Sequence, residues 1–148
     1  GRGRGESLTP TRLEGGLRAV IAVPAWRIST AEAFRSIDRR KYGLTRWKRH
    51  LRFASSLERA EVTAFHAARF GNTFEEVLGP RRQEFETLCA RLRAAGLLEP
   101  RLTGSGSAVF GLVPDGVRTQ ELVDRFIGDE PLYAVRSRVS GLRLRRQS

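Results

Sequence analysis

The order in which strand-like and helix-like hydrophobic patterns follow one another constrains the fold of this chain most. Leu17–Val23 is a nearly continuous, β-branched apolar run closed by Pro24, as in a strand that is buried on both faces. Ser29 and Glu32 then form a capping box, which predicts a helix over 30–38. The first unit is therefore strand, loop, helix.

The middle of the chain is predicted to be helical. The basic, aromatic segment 42–53 has no clear cap and is interpreted as a loop that can contain a helical turn. Ser55 and Glu58 form a second capping box, which predicts a helix over 56–70. The clearest helix lies within 80–96. Its apolar stripe, at spacings i, i+3, i+4 and i+7, consists of Phe85, Leu88, Cys89 and Leu92.

The last third of the chain predicts two strands around a glycine turn, then a helix and a strand. The strands are 101–103 and 108–113, and the helix and final strand are 117–127 and 132–139. The residues assigned to apolar faces are Leu122, Val123, Phe126 and Ile127 in the helix, and Tyr133, Val135 and Val139 in the strand.

This order of elements predicts an α+β fold. It is the ferredoxin-like split βαβ arrangement, a sandwich in which helices pack on one face of an antiparallel sheet. No repeat or linker interrupts the pattern, so we expect one domain over 17–140, preceded by a connecting segment over 1–16 and followed by a frayed tail over 141–148.

The positive net charge of the chain is compatible with an anionic partner. The net charge is +11, but only Lys41 and Lys48 among the 27 basic residues are lysines, and a GC-rich genome produces such an arginine excess without functional demand. Basic residues cluster at 39–52 and 136–146, and nucleic acid is an unlikely partner by this reading. No apolar stretch approaches the roughly 20 residues of a membrane span, and the single cysteine and lack of a leader predict a cytoplasmic location.

Metal and nucleophile chemistry find little support in the sequence. His50 and His66 have no cysteine or carboxylate at ligand spacing, and Cys89 lies on an apolar helix stripe, where a small core side chain is expected. No metal ligands and no catalytic residues are therefore assigned. Neither of the standard glycine-rich nucleotide motifs is present.

Two segments are candidates for binding. The turn Gly104-Ser105-Gly106-Ser107 combines two glycines, which let backbone amides approach a ligand, with two hydroxyl donors; it suits phosphate oxygens and equally suits an ordinary hairpin. The helix start at Ser29 has free amides and a partial positive charge that can face an anion. Phe34 on this helix is either core or part of the same cleft, which Trp26 would also cover.

Three segments of the chain carry a family resemblance when they are taken together. They are Gly1-Arg2-Gly3-Arg4-Gly5-Glu6-Ser7-Leu8-Thr9-Pro10, the strand-loop-helix over 19–37, and Arg101-Leu102-Thr103-Gly104-Ser105-Gly106-Ser107-Ala108-Val109-Phe110. In this order they resemble the second half of the 4-diphosphocytidyl-2-C-methyl-D-erythritol kinases, a family of the galactokinase, homoserine kinase, mevalonate kinase and phosphomevalonate kinase (GHMP) superfamily. The resemblance runs from the first residue to about Val139. A further stretch, Asn72-Thr73-Phe74-Glu75, resembles the family's Asn-Asp-hydrophobic-Glu pattern, from which Thr73 departs.

The resemblance implies a substrate site. The stretch from Ser29 to Phe34 would border a cytidine moiety, with Thr30 and Ala31 lining the base and Phe34 stacking on it. Gly104–Ser107 would lie beside the phosphates.

The resemblance also implies what the chain would lack. The family's ATP loop and its catalytic lysine and aspartate lie upstream of the segment that matches Gly1, and neither Lys41 nor Lys48 matches that lysine. ATP and Mg²⁺ would then serve the full-length kinase. This chain alone would bind a cytidine-diphosphate-type small molecule weakly, transfer no phosphate, and have the N-terminal kinase half as its partner.

Two other interpretations stay open at this point. The chain can be another GHMP kinase or a degenerate, non-catalytic relative. It can also be a basic nucleic-acid-binding module, whose affinity for RNA or DNA would depend strongly on salt.

Overall fold

The computed structural model of the protein describes residues 16–39 and 71–137. Residues 1–15 of the connecting segment, the predicted loop and helix over 42–70 and the frayed tail lie outside the described residues. The proposed domain boundaries stay predictions. No helix in the described ranges is long and apolar enough to cross a membrane. The cytoplasmic location also stays a prediction.

The strands of the described residues are β1 (Arg18–Ala22), β2 (Leu98–Leu102), β3 (Val109–Leu112) and β4 (Leu132–Arg136). They form one antiparallel sheet with the order β2-β3-β1-β4, so the first strand along the chain lies inside the sheet. This order confirms the split βαβ prediction, because β1 lies between β3 and β4, the two strands that the last helix connects. Val20 pairs with Gly111 of β3 and with Ala134 of β4.

The helices of the described residues are α1 (Thr30–Arg39), α2 (Arg82–Ala94) and α3 (Thr119–Arg125), with two 3₁₀ helices, Thr73–Val77 and Gly79–Arg81, before α2. Ser29 caps α1, and Pro80 lies in the short 3₁₀ helix that leads into α2. A capping side chain accepts a hydrogen bond from a free amide of the first turn, and a proline there has no amide that needs a partner. α3 begins after Arg118 without a side-chain cap.

The core lies between α2 and one face of the sheet. Val20 and Ala22 of β1 are fully buried, and the four apolar residues predicted for the α2 stripe are all buried against them. Two leucines of this stripe, Leu88 and Leu92, have no exposed surface. Trp26 is partly buried and packs against this core. Its predicted position over the binding cleft stays a prediction.

The bounds of β2 and of α3 differ from the predictions. β2 begins at Leu98, before Pro100, because an edge strand tolerates a proline at an irregularity, and the pairing with β3 shifts register between Leu98 and Arg101. The helix predicted over 117–127 is shorter, because Phe126 has extended backbone and places its ring under the guanidinium of Arg91.

The apolar faces assigned to the last two elements are also partly wrong. Ile127 is 82% exposed, since it follows the end of α3. Tyr133 and Val135 are exposed rather than buried, because β4 is an edge strand and Leu132 is the residue that packs against the core.

Candidate functional site

The N-terminus of α1 carries the first group of predicted site residues. Ser29 caps the helix, since its Oγ accepts a hydrogen bond from the backbone amide of Glu32 at 3.3 Å. Thr30 and Ala31 form the first turn, and Phe34 follows Thr30 by four residues. Side chains at this spacing lie on the same side of a helix, about 5–6 Å apart at Cβ. Thr30 and Phe34 therefore share one face of α1.

The side chain of Phe34 is available at the surface. It is 54% exposed, so the core alternative for Phe34 is wrong. Its ring meets the ring of Phe74 edge to face, with the centroids 5.0 Å apart and the planes at 83°. This contact holds one edge of Phe34 and leaves much of its surface free, as a stacking platform requires.

The glycine turn carries the second group and joins β2 to β3. Its backbone is closed by two hydrogen bonds, from Thr103 N to Ala108 O at 2.9 Å and from Gly106 N to Thr103 O at 3.1 Å. Gly106 has φ +99°, and a Cβ there would lie 2.5 Å from Cδ1 of Ile28. Glycine thus allows the turn to approach the loop that leads into α1.

The structure brings these two groups into direct contact. Thr30 Oγ1 and Ser105 Oγ lie 2.8 Å apart and share a hydrogen bond, although 75 positions separate the residues in the chain. The contact joins the helix start to the glycine turn. Ser107 follows in the same turn and has no side-chain hydrogen-bond partner in the described part of the chain.

Sequence reasoning assigned no role to Asn72, yet it holds the glycine turn. Its Nδ2 donates to the carbonyls of Leu102 at 2.9 Å and Gly104 at 2.7 Å, and its Oδ1 accepts from Phe74 N at 3.0 Å. The last bond caps the first 3₁₀ helix. An asparagine directly before Thr-Phe-Glu-Glu is a cap signal that could have been found in the sequence, but its contact with the turn could not.

Glu75 holds the same end of β2 through the other polar group of the Leu102 backbone, which is its amide. Its Oε1 accepts from Leu102 N at 2.9 Å, and its Oε2 pairs with Arg101 at 3.5 Å. Burial raises the pKa of the Glu75 carboxyl above 4.5, against the opposing effects of the Leu102 amide and the Arg101 guanidinium. The carboxyl therefore acts as a structural acceptor at the end of β2.

A separate cleft of about 540 Å³ opens along another face of α1. Ser29 is the only predicted site residue in its lining, which does not include Thr30, Phe34 or the glycine turn. Its lining is net positive, because it contains one acidic side chain, Glu32, and three arginines, Arg27, Arg35 and Arg81. The Thr30–Ser105 contact therefore lies beside this cleft and outside it.

Most residues of the histidine and basic-cluster predictions lie outside the described ranges. Within 16–39 and 71–137 no three metal-ligating side chains come together, and His50 and His66 lie outside these ranges. The basic clusters at 39–52 and 136–146 also lie almost entirely outside them.

The sequence profile described as "GHMP kinases C terminal" matches residues 53–128, just over half of the chain. The chain belongs to this family, which confirms the superfamily and fold predicted from the sequence.

The relatives narrow the similarity to one kinase. A protein from Symbiobacterium thermophilum, named 4-diphosphocytidyl-2-C-methyl-D-erythritol kinase, is 33% identical over 123 residues, which are 83% of this chain and 43% of that protein. A protein of the same name from Solibacter usitatus is 28% identical over 135 residues, 91% of this chain and 42% of the relative.

A solved structure shows the same similarity. The crystal structure of 4-(cytidine 5'-diphospho)-2C-methyl-D-erythritol kinase superposes with a TM-score of 0.55 and 26% identity, covering 90% of this chain and 47% of that one. The chain therefore spans less than half the length of these relatives.

Proposed function

We propose that this chain is the substrate-side domain of an ATP-dependent kinase that phosphorylates an alcohol group of a cytidine-diphosphate-type small molecule. The observation that carries this proposal is the 2.8 Å contact between the hydroxyls of Thr30 and Ser105. It joins a capped helix start to a glycine turn, and Phe34 stands exposed on the same helix face. The names of the relatives agree with this substrate class.

The base is held by stacking in this proposal. The exposed ring of Phe34 offers a face to the cytosine, while Phe74 fixes its edge. Stacking of a base on an aromatic side chain contributes about 1–3 kcal/mol. Thr30 and Ala31, one turn earlier, line the base.

The phosphates are held by the glycine turn. The carbonyls of Leu102, Thr103 and Gly104 accept hydrogen bonds from Asn72 and Gly106, so their negative ends are occupied. In the described part of the chain the amides of Ser105 and Ser107 have no such partner. A turn with free amides and occupied carbonyls favours an anion.

Phosphoryl transfer needs parts that this proposal assigns to the N-terminal half of the full-length kinase. ATP and Mg²⁺ would be held there, and Mg²⁺ would neutralise the charge on the transferred phosphoryl group. The described residues bring no metal-ligating cluster to the substrate side. The role of this chain is to bind and orient the acceptor.

Calorimetric titration of cytidine diphosphate into the full chain tests the proposal. We expect Phe34→Ala to weaken binding roughly 5- to 150-fold, the equivalent of the stacking energy. Tyr133→Ala is the matched control, because Tyr133 is 56% exposed against 54% for Phe34 and lies on β4. Absence of binding by the wild type, or equal affinity of the Phe34 variant, would refute the proposal.

The nucleic-acid interpretation is not favoured by the relatives. The same protein tests it directly, since a nucleic-acid module would bind RNA with a steep salt dependence. Cytidine diphosphate would then fail to compete with the RNA.

A further inference from the structure

One short segment touches both walls of the proposed site. The first 3₁₀ helix follows Asn72, which bonds to the glycine turn, and contains Phe74, which supports Phe34 on α1. Glu75 on the same segment binds the amide of Leu102. The backbone of Leu102 is thus held at its amide by Glu75 and at its carbonyl by Asn72.

The amide group of Asn72 has a particular electrostatic effect on the turn. Its two N–H donors bind two carbonyls, at Leu102 and Gly104, on either side of Thr103. A carbonyl bound in this way is oriented towards Asn72 and has its partial negative charge compensated. Without these donors, the carbonyls would be free to rotate towards an anionic ligand and repel it.

We propose that Asn72 is a positioning residue for the anionic part of the ligand: it orients the Leu102 and Gly104 carbonyls so that the glycine turn accepts a phosphate group. This inference rests on the proposed function, because it concerns the same site. Asn72 acts through the turn, and it is assigned no contact with the ligand.

Aspartate at position 72 separates this role from the capping role. The carboxylate of Asn72→Asp still accepts from Phe74 N, because aspartate is as good an N-cap as asparagine. The support of Phe34 by Phe74 is therefore retained. The other carboxylate oxygen would face two carbonyls at 2.7–2.9 Å without a proton to donate, and the turn must change.

The added charge needs its own control. Thr73 is the exposed neighbour of Asn72 and makes no bond to the turn in the described residues. Thr73→Asp adds the same negative charge one position away and leaves both Asn72 donors in place. A loss seen with Asn72→Asp and absent with Thr73→Asp therefore reports the donors rather than the charge.

The test compares two ligands on the full chain, cytidine diphosphate and cytidine, by calorimetry. We expect Asn72→Asp to weaken cytidine diphosphate binding by about tenfold or more and to change cytidine binding less than about twofold. Phe34→Ala weakens both ligands, and Thr73→Asp weakens neither. A merely structural role for Asn72 would weaken both ligands together.

The outcomes distinguish this inference from the proposed function. If the wild type binds neither ligand, the proposed function fails and the inference fails with it. If the wild type binds both and Phe34→Ala weakens both, but Asn72→Asp affects the two ligands equally or not at all, only the inference is overturned. If circular dichroism shows that Asn72→Asp is unfolded, Asn72→Ser takes its place, since serine keeps an N-cap oxygen and adds no charge.

Discussion

Replacing Gly106 by alanine tests how closely the glycine turn approaches the start of α1. The new Cβ would lie 2.5 Å from Cδ1 of Ile28 and 3.2 Å and 3.4 Å from the two methyl groups of Leu102. Gly106 also has φ +99°, a backbone conformation that alanine rarely adopts. The variant therefore combines a conformational cost with a steric one.

The neighbouring turn glycine supplies a matched control. Gly104 has φ +60°, and a Cβ there meets nothing within 4 Å. Gly104→Ala should cost only the left-handed backbone energy, about 1–2 kcal/mol. Gly106→Ala adds an overpacking cost of about 1–3 kcal/mol, because Ile28 packs against the core and must leave its position.

Ile28→Val makes the test specific, since it removes the Cδ1 atom that the new methyl group meets. We expect Gly106→Ala to lose more free energy of unfolding in urea than Gly104→Ala, and Ile28→Val to recover part of that loss in the double variant. Equal losses for the two glycine variants, or no coupling between positions 28 and 106, would refute the close approach.

Three further predictions concern the core and its ionisable groups. Leu88→Ala should lower the free energy of unfolding by about 2–5 kcal/mol in urea, because Leu88 is fully buried, whereas alanine at the exposed Gln83 should change it little. Burial raises the pKa of Glu75, so the wild type should lose stability relative to Glu75→Gln as the pH rises above 4.5; a pH-independent difference in urea midpoint would contradict this. Burial also raises the pKa of the Cys89 thiol to about 11, and iodoacetamide at pH 8 should alkylate the native protein at least about a hundredfold more slowly than the urea-unfolded chain; similar rates would contradict its burial.

Helices and strands could be predicted where their signal lies in residues only a few positions apart. The apolar stripe of α2 is visible in the sequence because residues at helical spacing share a face, and all four of its residues are buried. The cap of α1 at Ser29 is likewise a local signal. β4 was less predictable, since the alternation of Tyr133 and Val135 does not show that the strand lies at an edge.

The candidate site could be predicted in its parts and not in its assembly. The helix start and the glycine turn were identified from residue types and from the resemblance to a kinase family. Neither source showed that Asn72 would bind the carbonyl of Gly104, because that bond depends on how the first 3₁₀ helix packs beside β2.

The amino-acid sequence by itself determined the periodicities, caps and turn, because these depend on neighbours within a few positions. Only the tertiary structure decided that Thr30 meets Ser105 across 75 positions and that Phe34 stays at the surface. Those contacts follow from strand order and from the packing of α1 against the glycine turn, and such long-range packing leaves no periodic trace in the chain.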